Sequence, residues 1–174
     1  MAFANRPEDF AAVLGDFSEA ALDPAFWIPA IEGLLRLHGG TSGSLMTLDQ
    51  QGGAPDPLAM LGFSDKAFEL YAEHYHQVDL WADLGRQNPQ LRGVLGQSLV
   101  PDEVFERSEV WNDFSRHHVG AFHLLGAVFE LGGGRTAILG LHRQRDAEPF
   151  DEEDRRQIDR VLPHLRRALQ LRAR

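Results

Sequence analysis

The apolar positions of this chain change period several times, and each change marks an element. Over residues 7–21, Phe10, Val13, Leu14 and Phe17 recur at helical spacings, which places them on one helix face. Asp23-Pro24 offers a capping carboxylate followed by a proline at the first helical position. Phe26, Trp27, Ile31, Leu34 and Leu35 carry a second helix to Gly39-Gly40, with Pro29 expected to kink it or delay its start. Residues 42–48, with Leu45, Met46 and Leu48, predict a strand. The Gly-, Pro- and Asp-rich stretch 50–57 predicts a turn, and 58–61 the returning strand. Ser64 heads a third helix bearing Phe68, Tyr71, Tyr75 and Val78, and a short strand is expected at 93–97. Residues 101–117 read as one or two short helices, with Val104, Phe105, Trp111 and Phe114 as core candidates. Strands at 121–131 and 136–142 flank Gly132-Gly133-Gly134, a hairpin signal because glycine accepts positive φ without steric cost.

The last element is the sharpest. Asp151-Glu152-Glu153-Asp154 supplies a cap and an acidic first turn. Ile158, Leu162, Leu165 and Leu169 then form a coiled-coil-like seam, with Arg156, Arg160, Arg167 and Arg174 on the opposite side and Pro163 interrupting the ladder. A seam of about two heptads is too short to stand alone. It must pack on the domain, on a second copy, or on both. The expectation is a homodimer formed at least partly through these four residues. The whole order predicts one α+β domain over 1–174, with helices flanking an antiparallel sheet and a closing helix at 151–174. That layout resembles GAF- and PAS-type sensor domains.

Charge sharpens this picture. Residues 155–174 hold seven arginines and one acid, a local +6, while the net charge of the chain is −9. The remaining body stands at −15, and so acidic a surface does not fit phosphate contacts. The terminal arginines suit either a DNA-proximal segment or the C-terminal end of a helix dipole. With no cysteine, disulfides and thiolate zinc sites are excluded. No apolar run approaches the ~20 residues of a membrane span, and no signal peptide is visible. The chain reads as cytoplasmic.

Candidate chemistry points away from catalysis. His74 and His76 diverge on a helix, no H-E-x-x-H or G-x-S-x-G pattern exists, and the glycine run is followed by a strand rather than a helix. Lys66 is the only lysine. The expectation is therefore no enzyme, no metal and no cofactor. Tyr71, Tyr75 and Asp79, with Trp81, offer instead an aromatic wall with one carboxylate that could cover an apolar ligand. The alternative is that the tyrosines pack on the sheet while Asp79 caps the next helix. Trp111, Phe114, Phe122 and His123 are further candidates for the pocket lining.

Arg107-Ser108-Glu109-x-Trp111-Asn112-Asp113-Phe114, His123-x-Leu125-Gly126-Ala127, Leu141-His142-Arg143, Pro149-Phe150-Asp151-x₂-Asp154-Arg155 and Leu162-Pro163-His164-Leu165-Arg166-Arg167-Ala168 follow one another in an order that resembles the N-terminal sensory region of LuxR-type bacterial transcriptional regulators. Tyr75-x₃-Asp79-x-Trp81 fits the same region. The resemblance implies ligand sensing coupled to a helix-turn-helix that would follow the closing helix, with DNA contacted only through that domain. Some LuxR-type sensors take acyl-homoserine lactones, for which Asp79 and Tyr75 match the expected element. Leu70, Lys66 and Val94 stand where the family has aromatic residues. The implied ligand is thus another small apolar or aromatic molecule. The runner-up reading is a structural dimerisation module without a ligand.

Overall fold

In the computed structural model, which describes residues 7–51 and 53–173, the opening stripe becomes helix α1 (Pro7–Ala20), with Val13, Phe17 and Ala20 buried. The Asp23 side chain accepts the Ala25 N–H and starts a 3-10 turn at Pro24–Phe26, from which α2 (Trp27–His38) continues. Pro29 thereby falls in the first turn of α2, where a missing N–H matters least. Gly39 ends the helix at φ 63°, in the left-handed region that glycine supplies.

Five strands follow, β1 (Ser42–Asp49), β2 (Asp56–Leu61), β3 (Val94–Leu95), β4 (His123–Gly132) and β5 (Arg135–Arg143). They form one antiparallel sheet in the order β2-β1-β5-β4-β3. Gly133 and Gly134 join β4 to β5 at φ 61° and 75°, as a type I′ hairpin requires. Between β2 and β4 run the short helices α3 (Ala67–Glu73), α4 (Leu80–Gln87), α5 (Gly96–Leu99), α6 (Asp102–Glu106) and α7 (Arg116–His118). A 3-10 turn at Tyr75–Gln77 follows α3, and a π-helical turn at Val110–Ser115 precedes α7. The chain closes with α8 (Glu152–Arg172). Helices α1, α2 and α8 pack on one sheet face, and the α3–α7 group covers the other.

Four local expectations are corrected. The third helix is broken at His74, whose φ and ψ of −141° and −52° leave the helical region. Ser64 makes no helix cap, and its hydroxyl meets His118 Nδ1 instead. The strand expected at 93–97 keeps only two residues, because the chain turns helical at Gly96. Val104 is 52% exposed and its neighbour Phe105 takes the core position.

The seam on α8 packs on the domain itself, one of the uses its spacing left open. Ile158, Leu162, Leu165 and Leu169 are at most 2% exposed and join the core with Leu125, Phe129, Leu139 and Leu141. Burying each such side chain contributes about 1.5–3 kcal/mol. A second copy therefore cannot reach these residues while α8 stays docked. The reciprocal capping box between Asp151 and Asp154 anchors its start. Arg156, Arg160 and Arg167 do face outward, Arg160 lying 4.7 Å above the Phe10 ring; Arg174 lies outside the described residues. Among the described residues, no helix is long and apolar enough to cross a membrane.

Candidate ligand-binding cavity

A cavity of about 80 Å³ lies between the sheet and the α3–α7 layer. Its floor follows from residue size. Ser44 pairs with Gly140, Gly140 with Gly126, and Gly126 with Val94, so one row across the sheet is nearly bare. The rows on either side carry Met46, Ile138 and Val128, and Ser42, His142 and Leu124. Directly paired residues project to the same face, and the result is a trough. A Cβ at Gly140 would stand 2.9 Å from His142 Nε2, and one at Gly126 would stand 2.7 Å from the Leu139 carbonyl oxygen. Neither position accepts a larger residue without its neighbours moving.

The roof is mostly aromatic and aliphatic: Phe63, Trp81, Leu99 and Phe105, with Val110, Phe114 and Ser115 from the π-helical turn. Wider i→i+5 turns of this kind recur at functional sites. Trp81 stacks on Phe105 at 4.2 Å. Ser115 is occupied, donating to the Ala121 carbonyl at 2.7 Å.

Two polar groups face each other across α3 and α4. Asp79 caps α4, its Oδ1 accepting the Trp81 and Ala82 N–H groups at 3.1 and 3.3 Å. Its Oδ2 accepts the Tyr71 hydroxyl at 2.8 Å. Both expected roles of Asp79, helix cap and cavity wall, are therefore combined in one carboxylate. Burial pushes the Asp79 carboxyl up, against the opposing pull of the Tyr71, Ala82 and Trp81 bonds and the Arg86 charge. Burial, and then the Asp79 charge, push Tyr71 well above its ordinary value, so it stays a donor at neutral pH.

On the floor, His142 is 7% exposed, with Nδ1 3.0 Å from Ser42 Oγ. Its ring lies nearly parallel to Trp81 at 6.1 Å and meets Phe63 edge-on at 6.2 Å. Burial pushes the imidazole pKa down to about 4 despite a hydrogen bond to the Ser42 backbone, and the ring is neutral at pH 7.

Of the residues the sequence singled out, Tyr71, Asp79, Trp81 and Phe114 line the cavity, whereas Tyr75, Trp111, Phe122 and His123 do not. The break at His74 turns Tyr75 out of line with Tyr71, and it stacks on Phe114 at 4.9 Å. Trp111 packs on Phe105 and Phe122 and borders an outer groove with Arg116 and His117. His123 has the opposite strand parity from Leu124, and its Nε2 lies 3.3 Å from the Arg145 carbonyl oxygen. Sequence reasoning missed Ser44, Gly126, Gly140 and His142. The small residues Gly126 and Gly140 on paired strands were the available signal. Among the described residues no cluster of three or more histidines and acids is placed to hold a metal.

This three-layer arrangement recurs in solved proteins. The ligand-binding domain of VqsR from Pseudomonas aeruginosa superposes with a TM-score of 0.72 at 21% identity, over 94% of this chain and 96% of that one. The fold is that of LuxR-type ligand-binding domains. CepR2 from Burkholderia cenocepacia, an N-acylhomoserine lactone dependent LuxR family factor, matches at 0.61 and 17% identity over 94% and 97%. SdiA in complex with octanoyl-rac-glycerol matches at 0.58 and 14% identity, over 94% of this chain and 64% of SdiA. GAF domains of two bacterial signalling proteins share the fold at TM-scores of 0.57 and 0.53. No protein-family model and no curated protein sequence matches the chain.

Proposed function

We propose that this chain is the ligand-sensing domain of a LuxR-type transcription regulator, holding a small apolar ligand between sheet and α3–α7 layer and reporting its presence through α8 to an appended helix-turn-helix. The observation that carries this reading is the bare row Ser44–Gly140–Gly126, which opens an apolar cavity at the centre of the domain. Well-packed interiors keep few such voids. The shared fold with a lactone-dependent factor and with SdiA, which was solved holding octanoyl-rac-glycerol, supports the same reading. Val94 lines the trough, and an aliphatic residue there favours a chain or simple ring over a lactone.

A physical route from cavity to α8 supports the output half. Arg143 follows His142 on β5 and points to the other sheet face. It donates to the carbonyl oxygens of His38, Glu148 and Pro149, lies 4.1 Å above the Phe150 ring, and stands 3.7 Å from Asp154. Asp154 in turn sits 3.0 Å from His38 Nδ1. A shift of β5 at the cavity would pull on the first turn of α8.

The test is thermal unfolding with octanoyl-rac-glycerol. A ligand binding only the folded state adds about 2.7 kcal/mol at a hundredfold excess over Kd, so the melting temperature should rise. Val94→Phe, which fills the trough, should abolish the rise. If neutral apolar probes leave the melting temperature unchanged while Val94→Phe raises it, the domain is a ligand-free interaction module.

A further inference from the structure

Two groups on the cavity floor have hydrogen-bonding capacity that the protein does not use. Ser44 is 5% exposed and His142 7% exposed, and both line the cavity. Among the described residues, Ser44 Oγ and His142 Nε2 have no protein partner, whereas His142 Nδ1 is held by Ser42 at 3.0 Å. Ser42 Oγ has no other acceptor. In the tautomer in which the Ser42 hydroxyl donates to Nδ1, the imidazole hydrogen lies on Nε2. The edge carrying Nε2 leans over Gly140, which is paired with Ser44. In that tautomer the floor presents two donors, one O–H and one N–H, on either side of a residue with no side chain.

We propose that Ser44 and His142 together hold a carbonyl oxygen of an uncharged ester or amide, making this floor the polar pole that selects neutral ligands over the corresponding acids. The inference rests on the ligand-sensing reading above and names its ligand class. Among the described residues, no arginine or lysine lines the cavity. A carboxylate buried there would leave water without a cation in return, a cost that a neutral carbonyl avoids. The depressed pKa of His142 adds to this, since the ring does not readily take a proton to pair with an acid. Asp79, across the cavity, opposes a second negative charge.

The experiment measures binding by titration calorimetry at pH 7 with three probes of similar length: octanoyl-rac-glycerol, octanoate and n-octane, the last read by Trp fluorescence. The proteins are wild type, Ser44→Ala, His142→Leu and His142→Gln, each first shown to melt cooperatively. The glyceride should bind at least about tenfold more tightly than octanoate. Each of Ser44→Ala and His142→Leu should cost about three- to tenfold for the glyceride, the range of one neutral hydrogen bond, and leave octane unchanged. His142→Gln, which retains a donor, should recover part of the loss. Equal binding of octanoate and glyceride, or equal losses for glyceride and octane, overturns the donor pair while the cavity reading survives. Failure of all three probes overturns both.

Discussion

Acidification from pH 7 to pH 5 should weaken this domain through His142. Its imidazole is buried against Trp81 and Phe63, and its pKa falls from 6.5 to about 4 on folding. Between those values the unfolded chain takes up a proton that the folded chain refuses, so stability falls as pH falls. The contribution is fully present above about pH 6.5 and is lost completely near pH 4. Linkage with these two pKa values gives a loss of about 2 kcal/mol between pH 7 and pH 5. Urea unfolding at pH 7, 6 and 5, on wild type and His142→Gln, isolates the effect, since every other titrating group is common to both. Glutamine can still bond Ser42 and does not titrate. The wild-type curve should drop by about 2 kcal/mol more than that of the variant. Parallel curves would refute the claim that His142 is buried neutral on the cavity floor.

Other substitutions test the remaining joints. Asp79→Ala should cost about 2–4 kcal/mol in urea unfolding, one part from the lost α4 cap and the rest from stranding the Tyr71 hydroxyl. Adding Tyr71→Phe to that variant should cost nothing further or restore stability, a non-additivity that a double-mutant cycle reads directly. Leu165→Asp should unfold the domain, with loss of the cooperative circular-dichroism melt, because a carboxylate would enter a fully buried site; a folded monomer would show that the seam serves an interface instead. Partial burial pushes Asp154 up, but the bonds from His38 and the Asp151 N–H and the charges of His38 and Arg143 outweigh it and hold it low. Its contribution is therefore present above about pH 4 and lost below it. Asp154→Ala should lower the melting temperature at pH 7, and the melting temperatures of variant and wild type should converge as pH drops below 4.

How much could be read beforehand follows from where period and composition carry information. The amphipathic α1, α2 and α8 were legible because each carries an apolar stripe long enough to repeat. Hairpins were legible from their glycines. The α3–α7 stretch was not, because its helices are so short that an apolar pattern hardly repeats before each one ends. The break at His74 shows the consequence: a helix drawn straight from Tyr71 to Asp79 puts Tyr75 in the cavity, and the real chain puts it outside.

Local chemistry along the chain determined α1, α2 and α8, the hairpins, the caps at Asp23, Asp79 and Asp151, and the absence of any familiar catalytic pattern. Tertiary packing alone decided which side of each element is which. β4 and β5 are buried on both faces, so alternation has no polar side to mark, and nothing in the chain distinguishes the parity of His123 from that of His142. The same holds for α8, whose apolar stripe suits the chain's own sheet as well as another copy; the sheet is covalently attached, always within reach, and takes it.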